Sequence, residues 1–317
     1  MHERVFPGCV IGIVQALGQK TILSFGHLTY EASERVREDT IYDLASVTKS
    51  IPVALLALET LDLAKPVVDY LPELECDFGA TVADLLAYRV RGQRMSEMRG
   101  SADDITACIM RRGFAGPTGR AEYTNLPAFL LGMILERVGG DTLENLARQH
   151  IFEMLGMEHT FFLNKKGFPL SSFAPTEIDE SGDEVRGIVH DESARIFARE
   201  GRAVGHAGLF STASDVLTVL GAFLRGDFPH AAAGAERGLG WQIEGDFLGA
   251  NARDGVFGKT GFTGTSIVCD MRHRIAFVIL SNRTYPHRPA DSRAINAFRA
   301  DVANVVLACM DCVTGSP

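Results

Sequence analysis

Three short motifs with residue types suited to nucleophilic catalysis occur in this chain in a fixed order. They are Ser46-Val-Thr-Lys49, Tyr123-Thr-Asn125 and Lys259-Thr-Gly261. Each is the only occurrence of its pattern, and two of the six lysines of the chain lie within them. A single S-x-x-K arises by chance roughly once in a chain of this length, so the inference depends on the order and joint occurrence.

The first motif predicts a serine nucleophile beside its base. Ser46 and Lys49 are three residues apart, so on a helix they share one face. A serine hydroxyl is a weak nucleophile and needs a neighbouring base. A lysine amine can be that base when low dielectric and a nearby cation lower its pKa, and Lys259 is the expected cation. At the start of a helix, the backbone N–H of Ser46 would form half of an oxyanion hole.

The other two motifs predict a second route for proton transfer and a set of residues that bind the substrate. Between two ammonium groups the pKa of a phenol falls, so Tyr123 is expected to act as a base or a relay to the leaving group. Asn125 would orient a lysine or a substrate amide. Lys259 and Thr260 bring a cation and a hydroxyl on a strand, and the N–H of Phe262 would complete the oxyanion hole.

Each motif also has a structural interpretation. Ser46 alone would be a helix-capping serine, Tyr123-Thr-Asn125 a turn at a helix start, and Lys259-Thr-Gly261 a strand that ends in a turn. Their joint occurrence in this order favours the catalytic interpretation.

The elements that must position these residues are strands near both ends of the chain and helices between them. Predicted strands cover 4–14, 21–30, 238–243, 257–261, 265–269 and 275–280. Apolar residues recur at helical spacing from 46 to about 145, and Pro52 is expected in the first turn of its segment. Residues 162–200 are predicted to be rich in loops. Helices are predicted at 213–224 and 291–308. Thr81 is the predicted cap of another helix.

This order predicts an α/β (α+β) fold: an antiparallel sheet flanked by helices and built from N- and C-terminal parts, with an inserted, mainly helical domain. We expect residues 1–45 and 202–317 to form the sheet domain and 46–201 the helical domain, with the active site between them.

Composition excludes several classes of function. The chain has 317 residues, 46% hydrophobic and 22% charged, and a net charge of −9, which disfavours nucleic-acid binding. One local cluster of basic residues is interpreted as part of a solvated loop. It consists of Arg89, Arg91, Arg94 and Arg99. No apolar run is long enough to span a bilayer, and no signal peptide is visible. The expectation is a cytoplasmic protein, or a periplasmic or secreted one if a signal peptide has been removed.

No metal or cofactor is expected. Six cysteines at low density do not suggest a disulfide framework, and Cys309-Met-Asp-Cys312 has no second pair with which to bind zinc. A metal hydrolase using His190, Asp191, Glu192 and His206 is disfavoured, because three consecutive residues cannot all face one metal on regular structure. These residues are interpreted as loop residues that cap turns.

With these motifs the sequence resembles the serine β-lactamase and penicillin-binding-protein superfamily, on its class C and carboxylesterase side. The resemblance covers nearly the whole chain. Its landmarks here are Phe6-Pro-Gly8, Asp43-Leu-Ala-Ser-Val-Thr-Lys-Ser50, Tyr70-Leu-Pro-Glu73, Leu155-Gly-Met157, Ala174-Pro-Thr-Glu177, Val189-His-Asp-Glu192, Gly208-Leu-Phe-Ser-Thr-Ala213 and Lys259-Thr-Gly-Phe-Thr-Gly-Thr265.

The resemblance implies that Ser46 is acylated, Lys49 is its base partner and Tyr123 the second acid or base. It implies substrate-binding or proton-network roles for Asn125, Lys259, Thr260 and Phe262. Two features depart from the family pattern. Tyr88-Arg-Val-Arg-Gly92 stands where many relatives have His-Thr-Ser-Gly, and the stretch from Ser46 to Tyr70 is shorter than expected. Lysine rather than histidine at position 259 is the form associated with β-lactam and D-peptide carboxylates.

The sequence therefore predicts a metal-independent serine acyl hydrolase acting on a small-molecule substrate: a small ester, a β-lactam or a D-amino-acid peptide. The alternative is a penicillin-binding-like sensor that is acylated but does not turn over.

Overall fold

The computed structural model describes residues 4–31, 34–162 and 167–314 of the chain. Within these ranges the strands are β1 (Gly8–Gln15), β2 (Lys20–Gly26), β3 (Tyr42–Asp43), β4 (Phe210–Ser211), β5 (Val256–Thr260), β6 (Ser266–Asp270) and β7 (Ile275–Ser281). The α-helices are α1 (Leu55–Thr60), α2 (Val82–Leu86), α3 (Ala102–Arg112), α4 (Leu126–Gly139), α5 (Leu143–Ala147), α6 (Glu153–Leu155), α7 (Glu192–Arg199), α8 (Ala213–Arg225), α9 (Pro229–Glu236) and α10 (Arg293–Thr314).

The main sheet joins the two ends of the chain. Its strand order is β2-β1-β7-β6-β5, and every neighbouring pair is antiparallel. Successive side chains of a strand point to opposite faces. Val278 of β7 accordingly joins the core beneath α8, whereas Phe277 packs with Val306 of α10. The predicted antiparallel sheet flanked by helices is confirmed.

The helices α1–α7 lie between the N-terminal and C-terminal strands in sequence, as the spacing of apolar residues predicts. Thr81 caps α2 through a reciprocal capping box with Asp84. The domain boundaries at 45/46 and 201/202 stay a prediction. No helix in the described ranges is both long and apolar enough to cross a bilayer. The side chains of Cys309 and Cys312 lie outside the described part of the chain.

Two local predictions were wrong. Residues 238–243 form no strand, because Gly238 and Gly240 have φ of +76° and +75° and only Gln242 makes a bridge, to Gly258. The stretch predicted as loop contains α7, which Asp191 caps. Ile51, at φ −118° and ψ 116°, separates the Ser46 turn from the helix that follows. Pro52 is the first residue after this break, so it lies in the first turn of its segment, as predicted.

The contact between α8 and the sheet depends on one leucine and one glycine. Leu217 of α8 is fully buried and lies over Gly12 of β1, where a Cβ atom would come within 2.7 Å of Leu217 Cδ1. Glycine at this position therefore lets the helix approach the sheet closely.

We predict that Leu217→Ala lowers the free energy of unfolding by about 2–5 kcal/mol, because it leaves a cavity between α8 and β1. Urea denaturation followed by circular dichroism measures the change. The matched control is Leu17→Ala in the β1–β2 turn, where the side chain is 96% exposed and little change is expected. Equal effects of the two substitutions would contradict the packing described.

Candidate active site

Ser46 lies in a single 3₁₀ turn, Ala45–Lys49, and is the one residue of that turn that is not buried. The turn starts with Ala45 at φ +46°. Asp43 holds it there: one carboxylate oxygen accepts the Ala45 N–H at 2.7 Å and the other the His190 N–H at 2.7 Å. Burial raises the pKa of Asp43 to about 6, although these two N–H groups oppose the increase. Ser46 is thus presented to solvent from a fixed backbone.

Side chains after β5 tie the Lys259-Thr-Gly261 motif to the Ser46 turn. Thr263 donates its hydroxyl to the Asp43 carbonyl at 2.8 Å, and Thr265 donates to the Leu44 carbonyl at 3.0 Å. A Cβ atom on Gly261 would lie 2.5 Å from the same Leu44 carbonyl oxygen. The motif therefore needs glycine here because the two backbones touch.

Arg299 of α10 binds the backbone that follows β5, from Gly261 to Thr265. It is buried, and its guanidinium donates to the carbonyls of Gly261 at 2.9 Å and Thr265 at 2.7 Å. Burial, and then the charge of Arg283, lower the pKa of Arg299 to about 9. A guanidinium that has lost its water in this way is stabilised by carbonyl acceptors.

Lys49 is buried (1% exposed) and makes two hydrogen bonds. Its Nζ donates to Ser46 Oγ at 2.8 Å and to the backbone carbonyl of His206 at 2.6 Å. The predicted pairing of serine and lysine is therefore present, and the carbonyl fixes the direction of the lysine.

Lys259 is equally buried, also 1% exposed, and lies beside two tyrosines. Its Nζ donates to the Tyr88 hydroxyl at 3.0 Å and lies 4.5 Å from the centroid of the Tyr123 ring. The two tyrosine rings are 5.1 Å apart. Tyr88, the first residue of the segment that departs from the family pattern, is thus a direct partner of the lysine.

Tyr123 brings the two lysines together. Lys49 Nζ lies 5.4 Å from its ring centroid, and Lys259 Nζ lies 4.5 Å from the same centroid. Although 52% of the residue is accessible, protein surrounds the hydroxyl end, and this loss of water alone would raise its pKa. The charges of Lys259 and then Lys49 outweigh that effect and lower the pKa from 10.0 to about 8. Burial likewise lowers the pKa of Lys259 to about 8.

Two backbone N–H groups lie on the segments that touch at Leu44 and Gly261. Within the described residues the N–H groups of Ser46 and Phe262 make no hydrogen bond with protein. These are the donors that the sequence predicts for an oxyanion hole. The Phe262 side chain is 47% exposed and packs on the His190 ring, 5.8 Å between centroids.

Asn125 and Thr260 are held by residues that the motifs did not reveal. Asn125, at the start of α4, donates its side-chain amide to Asp191 at 3.2 Å. Thr260 donates its N–H and its hydroxyl to the side-chain oxygen of Gln242, at 3.2 and 3.3 Å. Both residues lie on the elements predicted for them.

Sequence reasoning missed four contributing residues: Tyr88, Asp191, His206 and Arg299. Tyr88 was visible as a departure from the family pattern. Asp191 directly precedes a short helical segment, and an aspartate at this position is a signal for a helix cap. His206 acts on Lys49 through its backbone carbonyl, and Arg299 lies 38 residues beyond Gly261 of the motif it supports, so no local pattern could reveal either.

The four residues considered for a metal site have other partners. His206 Nε2 lies 3.0 Å from Ser193 Oγ and 3.4 Å from Asp191 Oδ1, and His190 Nδ1 lies 3.9 Å from Glu177. Glu192 is paired with Arg288 at 2.5 Å. Ser193 and Asp191 contact the same histidine nitrogen, and Ser193 is buried, so the three do not form a nucleophilic triad. The described residues contain no group of three or more His, Cys, Asp or Glu side chains able to hold a metal ion.

The basic cluster lies in exposed loops, as predicted. Arg91 is paired with Glu122 at 3.2 Å and Arg89 lies 4.0 Å from Asp84. Exposed pairs of this kind contribute little to stability.

The fold and this arrangement of serine, lysine and tyrosine define a β-lactamase-like protein. The chain belongs to the Beta-lactamase family, whose model matches residues 1–301. The structure is similar to the crystal structure of a beta-lactamase from Sulfitobacter sp. EE-36, with a TM-score of 0.73, 22% identity and coverage of 96% of this chain and 93% of that chain. It is also similar to "D-alanine Carboxypeptidase AmpC from Burkholderia cenocepacia", with a TM-score of 0.70, 22% identity and coverage of 96% and 95%.

Curated relatives extend the comparison. The chain is 26% identical to an N-acetylmuramyl-L-alanine amidase of Bacillus subtilis (strain 168), over 93% of this chain and 81% of that protein. It is 31% identical to a "Putative D-alanyl-D-alanine carboxypeptidase" of Escherichia coli O157:H7 over 55% of this chain. That match spans about half (47%) of the carboxypeptidase's length.

The position of Tyr123 between two cations gives a prediction that needs no substrate. The difference in phenolate absorbance between the wild type and Tyr123→Phe should titrate with a midpoint at about pH 8. Removing the positive charge in Lys259→Met favours the neutral phenol, so the midpoint should move upward. The control is Lys20→Met, distant from the motif residues, where Lys20 bonds Ser214 and Thr218. A midpoint near 10 in the wild type would contradict the described electrostatics.

Proposed function

We propose that this protein is a metal-independent serine acyl hydrolase that works through an acyl-enzyme at Ser46 and hydrolyses small esters, β-lactams or both. The observation that carries the proposal is the hydrogen bond between Lys49 and Ser46, with the Tyr123 ring beside both Lys49 and the second cation, Lys259. An accessible serine hydroxyl beside a buried amine and a phenol of lowered pKa is suited to nucleophilic attack.

Acylation would proceed by proton transfer within this group. The Ser46 Oγ–H bond breaks and its proton passes to the Tyr123 phenolate, or to Lys49 when that amine is neutral, while Oγ bonds to the substrate carbonyl carbon. The oxyanion that forms accepts hydrogen bonds from the N–H groups of Ser46 and Phe262. When the carbonyl re-forms, the bond to the leaving group breaks, and Tyr123 returns the proton to that group.

Deacylation would repeat the sequence with water as the nucleophile. Tyr123 accepts a proton from water, the resulting hydroxide adds to the acyl carbon, and the released Ser46 oxygen recovers its proton. The half-exposed position of Tyr123 is compatible with this role, because the residue borders the open side of the site, from which water enters.

Lys259 is assigned to the proton network rather than to direct contact with a substrate carboxylate. Its ammonium is 1% exposed and already lies between Tyr88 and Tyr123. Thr260 and Asn125, which are partly exposed, are the assigned substrate contacts, together with the accessible ring of Phe262.

A second candidate is hydrolysis of D-amino-acid peptides. It is favoured by the names of two of the similar proteins, the Burkholderia cenocepacia D-alanine carboxypeptidase and the Escherichia coli O157:H7 relative. The chemistry at Ser46 would be the same, and the leaving group would be an amine instead of an alcohol.

The test is hydrolysis of a chromogenic cephalosporin, a short-chain p-nitrophenyl ester and a D-alanyl-D-alanine peptide, measured side by side. We predict that Ser46→Ala lowers turnover of the accepted substrate at least about 10³-fold, because the nucleophile is lost. The matched control is Ser96→Ala, an exposed serine outside the motifs, which should keep full activity.

Retained turnover in Ser46→Ala would overturn the proposal. One equivalent of stable acylation without turnover would favour the sensor alternative. Peptide turnover with neither ester nor lactam turnover would select the second candidate.

A further inference from the structure

Asp191 lies where two of the catalytic motifs meet. One of its oxygens, Oδ2, accepts the side-chain amide of Asn125 at 3.2 Å. The other, Oδ1, accepts the Ser193 hydroxyl at 2.6 Å and the Ala194 N–H at 2.9 Å, which caps α7. One carboxylate therefore holds the last residue of Tyr123-Thr-Asn125 and the start of a helix sixty-six residues further along the chain.

The same carboxylate reaches Lys49 through His206. Ser193 has one hydroxyl proton, and it goes to Asp191 Oδ1. Ser193 must therefore accept at its contact with His206 Nε2, so that this nitrogen carries the proton. His206 Nε2–H then points at both Ser193 Oγ and Asp191 Oδ1, at 3.0 and 3.4 Å.

This contact fixes the position of the His206 backbone. The residue is completely buried, and its ring packs on Phe129 of α4 at 6.0 Å between centroids. Its carbonyl oxygen is the 2.6 Å acceptor of Lys49 Nζ. The direction in which Lys49 points toward Ser46 and Tyr123 thus depends on where the His206 side chain is held.

Several groups around Asp191 keep it ionised. Burial would raise its pKa, but the hydrogen bond from His206, followed by those from the Ser193 hydroxyl and the Ala194 N–H, lowers the pKa far below its usual value. Burial lowers the pKa of His206, so that histidine is neutral at neutral pH. Asp191 is therefore a fixed negative charge 3.4 Å from the side-chain nitrogen of His206, the residue whose carbonyl accepts the hydrogen bond of Lys49.

We propose that Asp191 is a positioning residue that couples the Lys49 base to the Tyr123-Thr-Asn125 motif, through His206 on one side and Asn125 on the other. The inference rests on the proposed function, since it gives Asp191 a role in acylation of Ser46. This role is additional to the capping of α7 by Asp191.

Two substitutions separate positioning from capping. Serine and asparagine cap helices about as well as aspartate, so Asp191→Ser and Asp191→Asn both keep the start of α7. Asparagine still reaches Asn125, whose amide can turn by 180° to keep one hydrogen bond; serine is too short to do so. Ser101→Ala, which removes the side-chain cap of α3, is the control for loss of a cap elsewhere.

We predict that Asp191→Ser lowers the rate of acylation by a p-nitrophenyl ester about 10–100-fold, because a misplacement of about 1 Å at reacting groups costs up to about 10² in rate. Asp191→Asn should lose less, roughly fivefold or under, and KM should change little in either. In Asp191→Ser the spectrophotometric midpoint of Tyr123 should move above about 8, because Lys49 is no longer held beside the phenol.

Full acylation rate with an unchanged Tyr123 midpoint in Asp191→Ser would overturn the inference, as would equal losses in Asp191→Ser and Ser101→Ala. Because the Tyr123 midpoint is measured without substrate, it tests the positioning of Lys49 even where the proposed reaction fails. Failure of the proposed function itself is seen separately, as unchanged acylation in Ser46→Ala.

Discussion

The positive charges of Lys49 and Lys259, both removed from water, lie on either side of the Tyr123 phenol. The two ammonium groups repel each other, and the low dielectric of the buried site strengthens that repulsion. A negatively charged phenolate attracts both lysines, so the pKa of Tyr123 falls to about 8. A proton can then move between serine, amine and phenol near neutral pH without a metal ion in the proposed reaction.

Keeping two buried cations together requires acceptors that do not move, and the fold supplies them. The His206 carbonyl receives Lys49, and the Tyr88 hydroxyl receives Lys259. Each acceptor comes from a segment far along the chain from its lysine, 157 residues away for His206 and 171 for Tyr88. The main sheet joins the N- and C-terminal strands, and hydrogen bonds from Thr263 and Thr265 connect it to the backbone just before the Ser46 turn. This arrangement makes the long-range contacts possible.

The motifs and the alternation of apolar residues were sufficient to predict the antiparallel sheet, the inserted helices and the residues that meet around Ser46. The failures have physical reasons. The segment 238–243 has the apolar content of a strand, but two glycines with positive φ bend it. Helix α7 is short and half of its residues are polar, so its cap was the available signal. The roles of His206 and Arg299 depend on tertiary packing, which no spacing within the sequence encodes.

The central claim is that Ser46 is the residue that becomes acylated, with Tyr123 and the two lysines handling its proton. The most direct measurement is mass spectrometry of the intact protein and its peptides after brief exposure to a chromogenic cephalosporin or an activated ester. The account predicts the mass of one acyl group, located on the peptide that contains Ser46 and trapped in greater yield at pH 8 than at pH 6. Acylation at another residue, or none with any of these reagents, would contradict it.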